Sequence, residues 1–201
     1  MDLLDFIFPP KCLECGKIGK YICSECLAKI PKTSYKNRYS YSIWKYQGIV
    51  RRAIISLKYK FAYKLSDELA KNAFSELKKR QVFDGKDFVL VPVPLYSKRK
   101  NFRGFNQSEV VGKKLAELMK WEYEERLVIK LKNTLTQVGL RGDSRRKNLK
   151  NAFGINKEKL NRNKNYLIFD DVLTTGSTID EIRLEFKKTG IFKVFSLTLA
   201  R

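Results

Sequence analysis

The stretch Tyr166-Leu-Ile-Phe-Asp-Asp-Val-Leu-Thr-Thr-Gly-Ser-Thr178 decides the fold. Four aromatic or apolar residues end in two carboxylates, Asp170 and Asp171. Two apolar residues follow, then a hydroxyl-rich loop with one glycine, then an amphipathic stretch over 179–189. The order reads as a buried parallel strand, a loop at its carboxyl end, and a helix whose first turn faces that loop. Such a corner suits a sugar phosphate. Free N–H groups at a helix N-terminus take phosphate, Gly176 lets the chain approach it closely, and Thr174, Thr175, Ser177 and Thr178 add hydroxyl donors. The paired aspartates can meet ribose hydroxyls, directly or through Mg²⁺, which prefers oxygen ligands. The plainer alternative is an ordinary strand–turn–helix with acids at a solvated edge; the unbroken order of the segment favours the phosphate loop.

Upstream, Phe88-Val-Leu-Val-Pro-Val-Pro-Leu95 predicts a short buried strand ending near Val91, because proline bars the middle of a sheet. Apolar residues at helical spacing mark 49–58 (Ile49, Val50, Ala53, Ile54, Leu57), 65–77 (Leu65, Leu69, Ala70, Ala73, Phe74, Leu77) and 107–119 (Val110, Val111, Leu115, Leu118, Met119). Strands are expected at 127–131, 153–155, 166–169 and 194–200, and 32–47 reads as a strand or an extended connection. Strands alternating with helices argue an α/β fold with a mostly parallel sheet flanked by helices. Ligands of such sheets sit outside the carboxyl ends of the strands, where the loops 91–95 and 170–178 both arrive. A pyrophosphate beside the sugar phosphate would draw donors from the first loop and from Lys98, Arg99 and Arg103 just after it; a plain strand-exit turn is the alternative. The polar stretch 132–148 is too long for a hairpin loop, and long loops in compact domains are usually functional or disordered. Its Arg141, Arg145 and Arg146 could reach pyrophosphate or a nucleic-acid backbone.

All four cysteines lie near the start, as Cys12-x2-Cys15 and Cys23-x2-Cys26 separated by seven residues. Two paired CxxC units specify a tetrahedral thiolate zinc site, with Gly16 and Gly19 permitting tight turns. Disulfides are the competing reading, disfavoured because no export signal is evident and cytosolic thiols stay reduced; an iron–sulfur cluster could also use four thiolates, though the spacing favours zinc. Four thiolates fill the coordination sphere, so this metal is structural. Prolines at 9, 10 and 31 mark the borders of a small zinc ribbon or knuckle. The expected organisation is a zinc-binding module over 1–31, a connecting strand and helices over 32–84, and the α/β domain over 85–201.

Forty-two Lys and Arg stand against 21 Asp and Glu, for a net charge of +21. The excess avoids residues 1–30, where Lys11, Lys17, Lys20 and Lys29 balance Asp2, Asp5, Glu14 and Glu25. It clusters instead at Arg51-Arg52 to Lys60, at Lys98-Arg99-Lys100 with Arg103, and at Arg141 to Lys150, interleaved with aromatics such as Phe102 and Phe105. Cations that follow a backbone, beside rings that stack bases, suit single-stranded nucleic acid; a solvated basic surface over core aromatics is the alternative. The chain holds no histidine. That excludes Ser-His-Asp triads, Cys-His pairs and histidine-ligated metals. No apolar run reaches a membrane span, and acids occupy the start where a signal peptide needs positive charge. The expectation is a cytoplasmic protein, peripheral at most to a membrane machine.

The Tyr166–Thr178 segment resembles, at every position, the phosphoribosyl-pyrophosphate (PRPP) motif of the type I phosphoribosyltransferases. The ordered series over the whole chain is narrower: the four-cysteine module, Val91-Pro-Val-Pro, Arg103-Gly-Phe-Asn-Gln107, Thr136-Gln-x2-Leu140, Arg145-x2-Asn148-x2-Asn-Ala-Phe153, the PRPP segment, and Leu199-Ala-Arg201. It is similar to the ComF family of competence proteins. The resemblance implies a type I phosphoribosyltransferase-like sheet, with Asp170 and Asp171 on the ribose and with Mg²⁺, and Thr174, Thr175, Gly176, Ser177 and Thr178 on the 5′-phosphate. Val93 and Pro94 fall in the pyrophosphate loop, 132–148 in the mobile loop that closes over substrate, and Cys12, Cys15, Cys23 and Cys26 bind zinc. It implies a role in natural transformation: binding single-stranded DNA during uptake at the cytoplasmic side of the inner membrane, with a helicase-like ATPase and a membrane DNA channel as partners. Two other functions fit the same motif. One is a Mg²⁺-dependent phosphoribosyltransferase of nucleotide salvage, a pentosyl-class glycosyltransferase; the other is a PRPP or nucleotide sensor. No catalytic residue is assigned.

Overall fold

The two periodicities of the sequence resolve into a three-layer α/β body carrying a small cysteine-bearing segment. The structure is a computed structural model that describes residues 9–33, 36–37, 39–59, 63–83, 85, 87–96, 104–132 and 149–201. In chain order the elements are α1 (Ser24–Ala28), β1 (Lys36–Asn37), β2 (Ser40–Trp44), α2 (Gly48–Tyr59), α3 (Tyr63–Lys79), β3 (Phe88–Pro92), α4 (Gln107–Met119), β4 (Glu122–Tyr123), β5 (Val128–Lys130), β6 (Phe153–Ile155), a 3-10 turn (Lys157–Lys159), β7 (Asn165–Val172), α5 (Ser177–Lys188) and β8 (Val194–Ala200). The main sheet has the order β1-β2-β8-β7-β3-β4. Every neighbouring pair is parallel except β1–β2 at the edge.

Side chains alternate across each strand, so one sheet supplies two cores. Phe88, Leu90, Leu167, Phe169, Leu197 and Leu199 face a core shared with Ile54 of α2, Leu65 and Leu69 of α3, and Val111 and Leu115 of α4. Val89, Val91, Tyr166 and Ile168 face the opposite core, closed by Ile179, Ile182 and Phe186 of α5. The β7 strand, buried on both faces, therefore needs the continuous apolar run that the sequence displays. Helix α4 lies close to the sheet because position 112 is glycine. A Cβ there would stand 3.0 Å from Phe169 Cδ1 and 3.1 Å from Leu90 Cδ2. We expect Gly112→Ala to overpack this contact and cost about 1–3 kcal/mol, measured as a lower urea midpoint with an unchanged slope.

Strand β3 ends near Val91 as expected, and two other expectations need correction. Strand β3 runs through Pro92, which pairs with Phe169, and Val93 N–H continues the ladder to Phe169 O at 2.9 Å. Pairing with β4 stops at Leu90, so the missing N–H of Pro92 falls where the outer side of β3 has no ladder to complete. Strand β7 extends to Val172, which places both aspartates inside its last turn of pleat rather than beyond it. Finally, β5 and β6 do not enter the main sheet. They pair antiparallel with each other and lay Leu127, Val128 and Phe153 on the α5-side core. Among the described residues no helix is long and apolar enough to cross a membrane.

Candidate functional site

The carboxyl ends of β3 and β7 deliver their loops to one edge, and the first turn of α4 ties them together. Asn106 caps α4, accepting Ser108 N–H at 3.1 Å on its side-chain oxygen. Its amide nitrogen donates to Val93 O at 2.9 Å, fixing the strand-exit loop. Ser108 then donates its hydroxyl to Asp170 Oδ1 at 3.0 Å. The same carboxylate oxygen accepts the N–H of Asp171 at 2.9 Å. Val93, Asn106, Ser108 and Asp170 thus form one bridge from the first loop to the acidic pair. Asn106 and Ser108 are 1% and 4% exposed, so these bonds are shielded from water and hold one arrangement.

Beyond Asp171 the chain turns through Leu173, whose N–H reaches Ala200 O at 2.8 Å. Gly176 caps α5 with φ +85 and makes no side-chain cap. This left-handed conformation costs a non-glycine residue about 1–2 kcal/mol, which accounts for glycine here. Thr174 and Thr175 are exposed, and Gly176, Ser177 and Thr178 are partly so. Thr175 Oγ1 and Ser177 Oγ lie 2.8 Å apart. The loop therefore offers hydroxyls and first-turn amides to the edge where Asp170 and Asp171 stand. The structure brings together Asp170, Asp171 and residues 174–178, with Val93 and Pro94 alongside. Both members of the latter pair are buried, and the N–H and C=O of Val93 are committed to Phe169 and Asn106. The basic candidates Lys98, Arg99, Lys100, Arg103, Arg141, Arg145 and Arg146 lie outside the described residues, as does most of the 132–148 stretch.

The four cysteines meet at a second place. All are free thiols, with sulfurs within 4.8 Å of one another. Cys12 Sγ is 3.6 Å and Cys15 Sγ 3.7 Å from Cys23 Sγ. A zinc–sulfur bond of about 2.3 Å implies tetrahedral edges of about 3.8 Å, which these two distances match. Two tight turns build it. Gly16 N–H bonds Cys12 O at 2.9 Å around the first pair, and Cys23 caps α1 by accepting Cys26 N–H at 3.4 Å. Burial works against ionisation of Cys12, but N–H groups of residues 14, 15 and 23 outweigh it and hold the thiol at about 6. Burial, together with hydrogen bonds among the neighbouring sulfurs, pushes Cys26 up to about 12. The segment is pinned to α3 by Glu68, which accepts Tyr21 N–H at 3.1 Å and Ile22 N–H at 2.8 Å.

No family model matches the chain. Among curated proteins it is 38% identical to competence protein F of Haemophilus influenzae over 114 residues, covering 56% of this chain and 49% of that one. It is 29% identical to the DNA utilization protein YhgH of Salmonella typhimurium over 195 residues, covering 94% and 83%. YhgH of Escherichia coli K12 is 36% identical over 112 residues, covering 56% and 48%. The chain is a homologue of these ComF-family proteins. The match spans about half the length of competence protein F, 49%. Two solved phosphoribosyltransferases also align. The hypoxanthine enzyme of Staphylococcus aureus does so at TM-score 0.36 and 20% identity, covering 67% of this chain and 61% of that one. The adenine enzyme of Thermoanaerobacter pseudethanolicus does so at TM-score 0.36 and 14% identity, covering 87% and 84%. At those scores the fold rests on the strand order itself.

Asn106 and Ser108 are the site residues that sequence reasoning missed. An Asn directly before an apolar-periodic run is a helix-cap signal, so Asn106 was findable as a cap. Nothing local points from Ser108 to Asp170, 62 positions away.

Proposed function

We propose that this ComF homologue works in DNA uptake, binding single-stranded DNA on the cytoplasmic side of the inner membrane and holding a PRPP-type ligand at the β7–α5 corner. Asp170 and Asp171 meet the ribose hydroxyls, with Mg²⁺ between them and the ligand, and residues 174–178 take the 5′-phosphate. The observation that carries the ligand half is the buried bridge Val93–Asn106–Ser108–Asp170, which fixes the acidic pair beside the phosphate loop. The DNA half draws on the names of the relatives and on the net charge of +21. Zinc held by Cys12, Cys15, Cys23 and Cys26 supplies a structural staple. A helicase-like ATPase and a membrane channel are the partners that the family resemblance suggests.

The test is made on one sample of the full chain. Oligothymidylate affinity should fall with salt, with a log–log slope approaching about −5 if all seven candidate cations reach phosphates. Replacing Arg141, Arg145 and Arg146 with Gln should reduce that slope by about 2. Binding indifferent to salt would rule out the DNA role. PRPP with Mg²⁺, titrated calorimetrically, should bind, and Asp170→Asn should weaken that binding about a hundredfold. Release of pyrophosphate in the presence of a panel of bases and amines would make the chain a transferase instead.

A further inference from the structure

The cysteine-bearing segment and α3 enclose a cavity of about 520 Å³ that neither the four-thiolate group nor the phosphate loop uses. Its volume falls inside the range of small-molecule sites, roughly 300–1,000 Å³. Ile22, Ile30 and Trp44 form an apolar floor, and all three are buried.

The wall built by α3 is a single stripe. Glu68, Lys71, Asn72 and Glu76 stand at i, i+3, i+4 and i+8, a spacing that puts them on one helix face. The carboxylates at its two ends are committed. Glu68 accepts Tyr21 N–H at 3.1 Å on one oxygen and Ile22 N–H at 2.8 Å on the other. Glu76 Oε2 pairs with Lys32 Nζ at 3.6 Å and Arg80 Nη2 at 3.2 Å, and Arg80 Nη1 donates to Tyr41 Oη at 2.7 Å. Between these anchors the side chains of Lys71 and Asn72 have no hydrogen-bond or ion-pair partner among the described residues. Neither has Lys20, which lines the cavity from the cysteine-bearing segment. A plain crease between packed elements would leave its rim charges paired with one another. Here both lining acids are engaged, so the wall keeps two unpaired cations and the half-buried amide of Asn72, with no anion to answer them.

We propose that this cavity is a nucleotide site, in which the base lies on the Ile22–Ile30–Trp44 floor with its edge at the Asn72 amide, and Lys20 and Lys71 take the phosphate. A side-chain amide offers a donor and an acceptor side by side, as a base edge does, and lysine binds phosphate as a point charge. An inorganic anion would leave the apolar floor wet, and an aliphatic acid would leave the amide unpaired. The nucleotide comes either from a DNA strand or from the free pool. The strand source rests on the DNA role proposed above; the free source does not.

The Asn72 side-chain amide and Trp44 indole N–H resonances of the full chain report on the cavity. With PRPP and Mg²⁺ in excess, titration of deoxyadenosine 5′-monophosphate (dAMP) should move both signals saturably. Lys71→Gln should weaken dAMP about tenfold. Lys78→Gln removes the same charge from a part of α3 that does not line the cavity, and should leave the affinity unchanged. Asn72→Leu, read at Trp44, should weaken dAMP about tenfold and deoxyribose 5-phosphate not at all. An oligothymidylate that competes for the dAMP response assigns the site to the strand; one that binds the chain without touching that response assigns it to free nucleotides. Absence of a saturable shift overturns the proposal. So does an equal loss in Lys78→Gln, which would reduce the lysines to bulk charge, and so does displacement of dAMP by PRPP, which would put the nucleotide at the β7–α5 corner. A glutamate-rich peptide that displaces dAMP at equal concentration also overturns it, by making an acidic peptide the occupant. A chain that binds no oligothymidylate but keeps the dAMP response loses the DNA role and retains the cavity site; salt-dependent oligothymidylate binding with no dAMP response does the reverse.

Discussion

Replacing Cys23 with serine should abolish zinc binding at the proposed four-thiolate site and lower the thermal transition by about 10 °C. Cys23 is the sulfur that both Cys12 and Cys15 approach, at 3.6 and 3.7 Å, and it also caps α1. Removing it opens the tetrahedron and frays the helix that carries Cys26. The loss propagates because the segment is not an independent bead. Ile22, Cys26 and Ile30 belong to the same apolar core as Ile54, Leu69 and Phe88, and the Ile22 amide is held by Glu68 of α3. Metal affinity in such modules is folding free energy, since no site exists in the unfolded chain. The pH dependence has a definite sign. Cys26, pushed up to about 12 by burial, is protonated at neutral pH until a cation arrives. Binding must therefore expel its proton, and zinc affinity falls as the solution is made more acidic. A metal assay with thermal melts between pH 8 and pH 5 checks both statements. Unchanged zinc content in Cys23→Ser would refute the site.

Most of this architecture was written in local pattern. The 107–119 helix was legible from Val111, Leu115 and Met119 because burial on one face leaves a 3.6-residue period. Strand β7 was legible because a strand covered on both faces must be apolar throughout. What escaped notice depends on partners distant in the chain. Ser40–Trp44 lies in the 32–47 stretch expected as a strand or an extended connection, but nothing local says that it becomes the parallel neighbour of β8. Tyr41 and Ile43 enter the large apolar core, while Ser40 and Ser42 on the other face pair with Ser196 and Thr198, so the polar face of the alternation is buried as well. The strands at 127–131 and 153–155 were expected, but three-residue strands carry too little period to say which sheet they join. The candidate site divides in the same way. Asp170 to Thr178 is contiguous and declared itself. The bond that orients Asp170 comes from Ser108, and only the packing of α4 on β3 and β7 brings the two together.

Asp170→Asn should weaken PRPP binding about a hundredfold while leaving the fold nearly as stable as before. The Oδ1 atom accepts Ser108 Oγ–H and Asp171 N–H. An asparagine oxygen in the same place keeps both bonds, so no buried donor is orphaned and the cost in stability stays within about 1 kcal/mol. What disappears is the negative charge that the proposed site offers to ribose hydroxyls and Mg²⁺. Two charge-assisted hydrogen bonds reduced to neutral ones lose roughly 1–1.5 kcal/mol apiece, which together is about a hundredfold in affinity. Asp170→Ala behaves differently. It strands Ser108, 4% exposed, and the Asp171 amide, so stability and affinity should fall together. Ser108→Ala separates the two roles of the bridge. It leaves the charge in place but frees the carboxylate to turn, and should cost about tenfold in PRPP affinity, with inorganic phosphate binding at the loop unaffected. In the double variant Asp170→Asn/Ser108→Ala the effects should be less than additive, because Ser108 acts only through Asp170. Calorimetric titration of the four chains measures the coupling. Full additivity would mean that Ser108 supports the helix and not the carboxylate, and would remove α4 from the site.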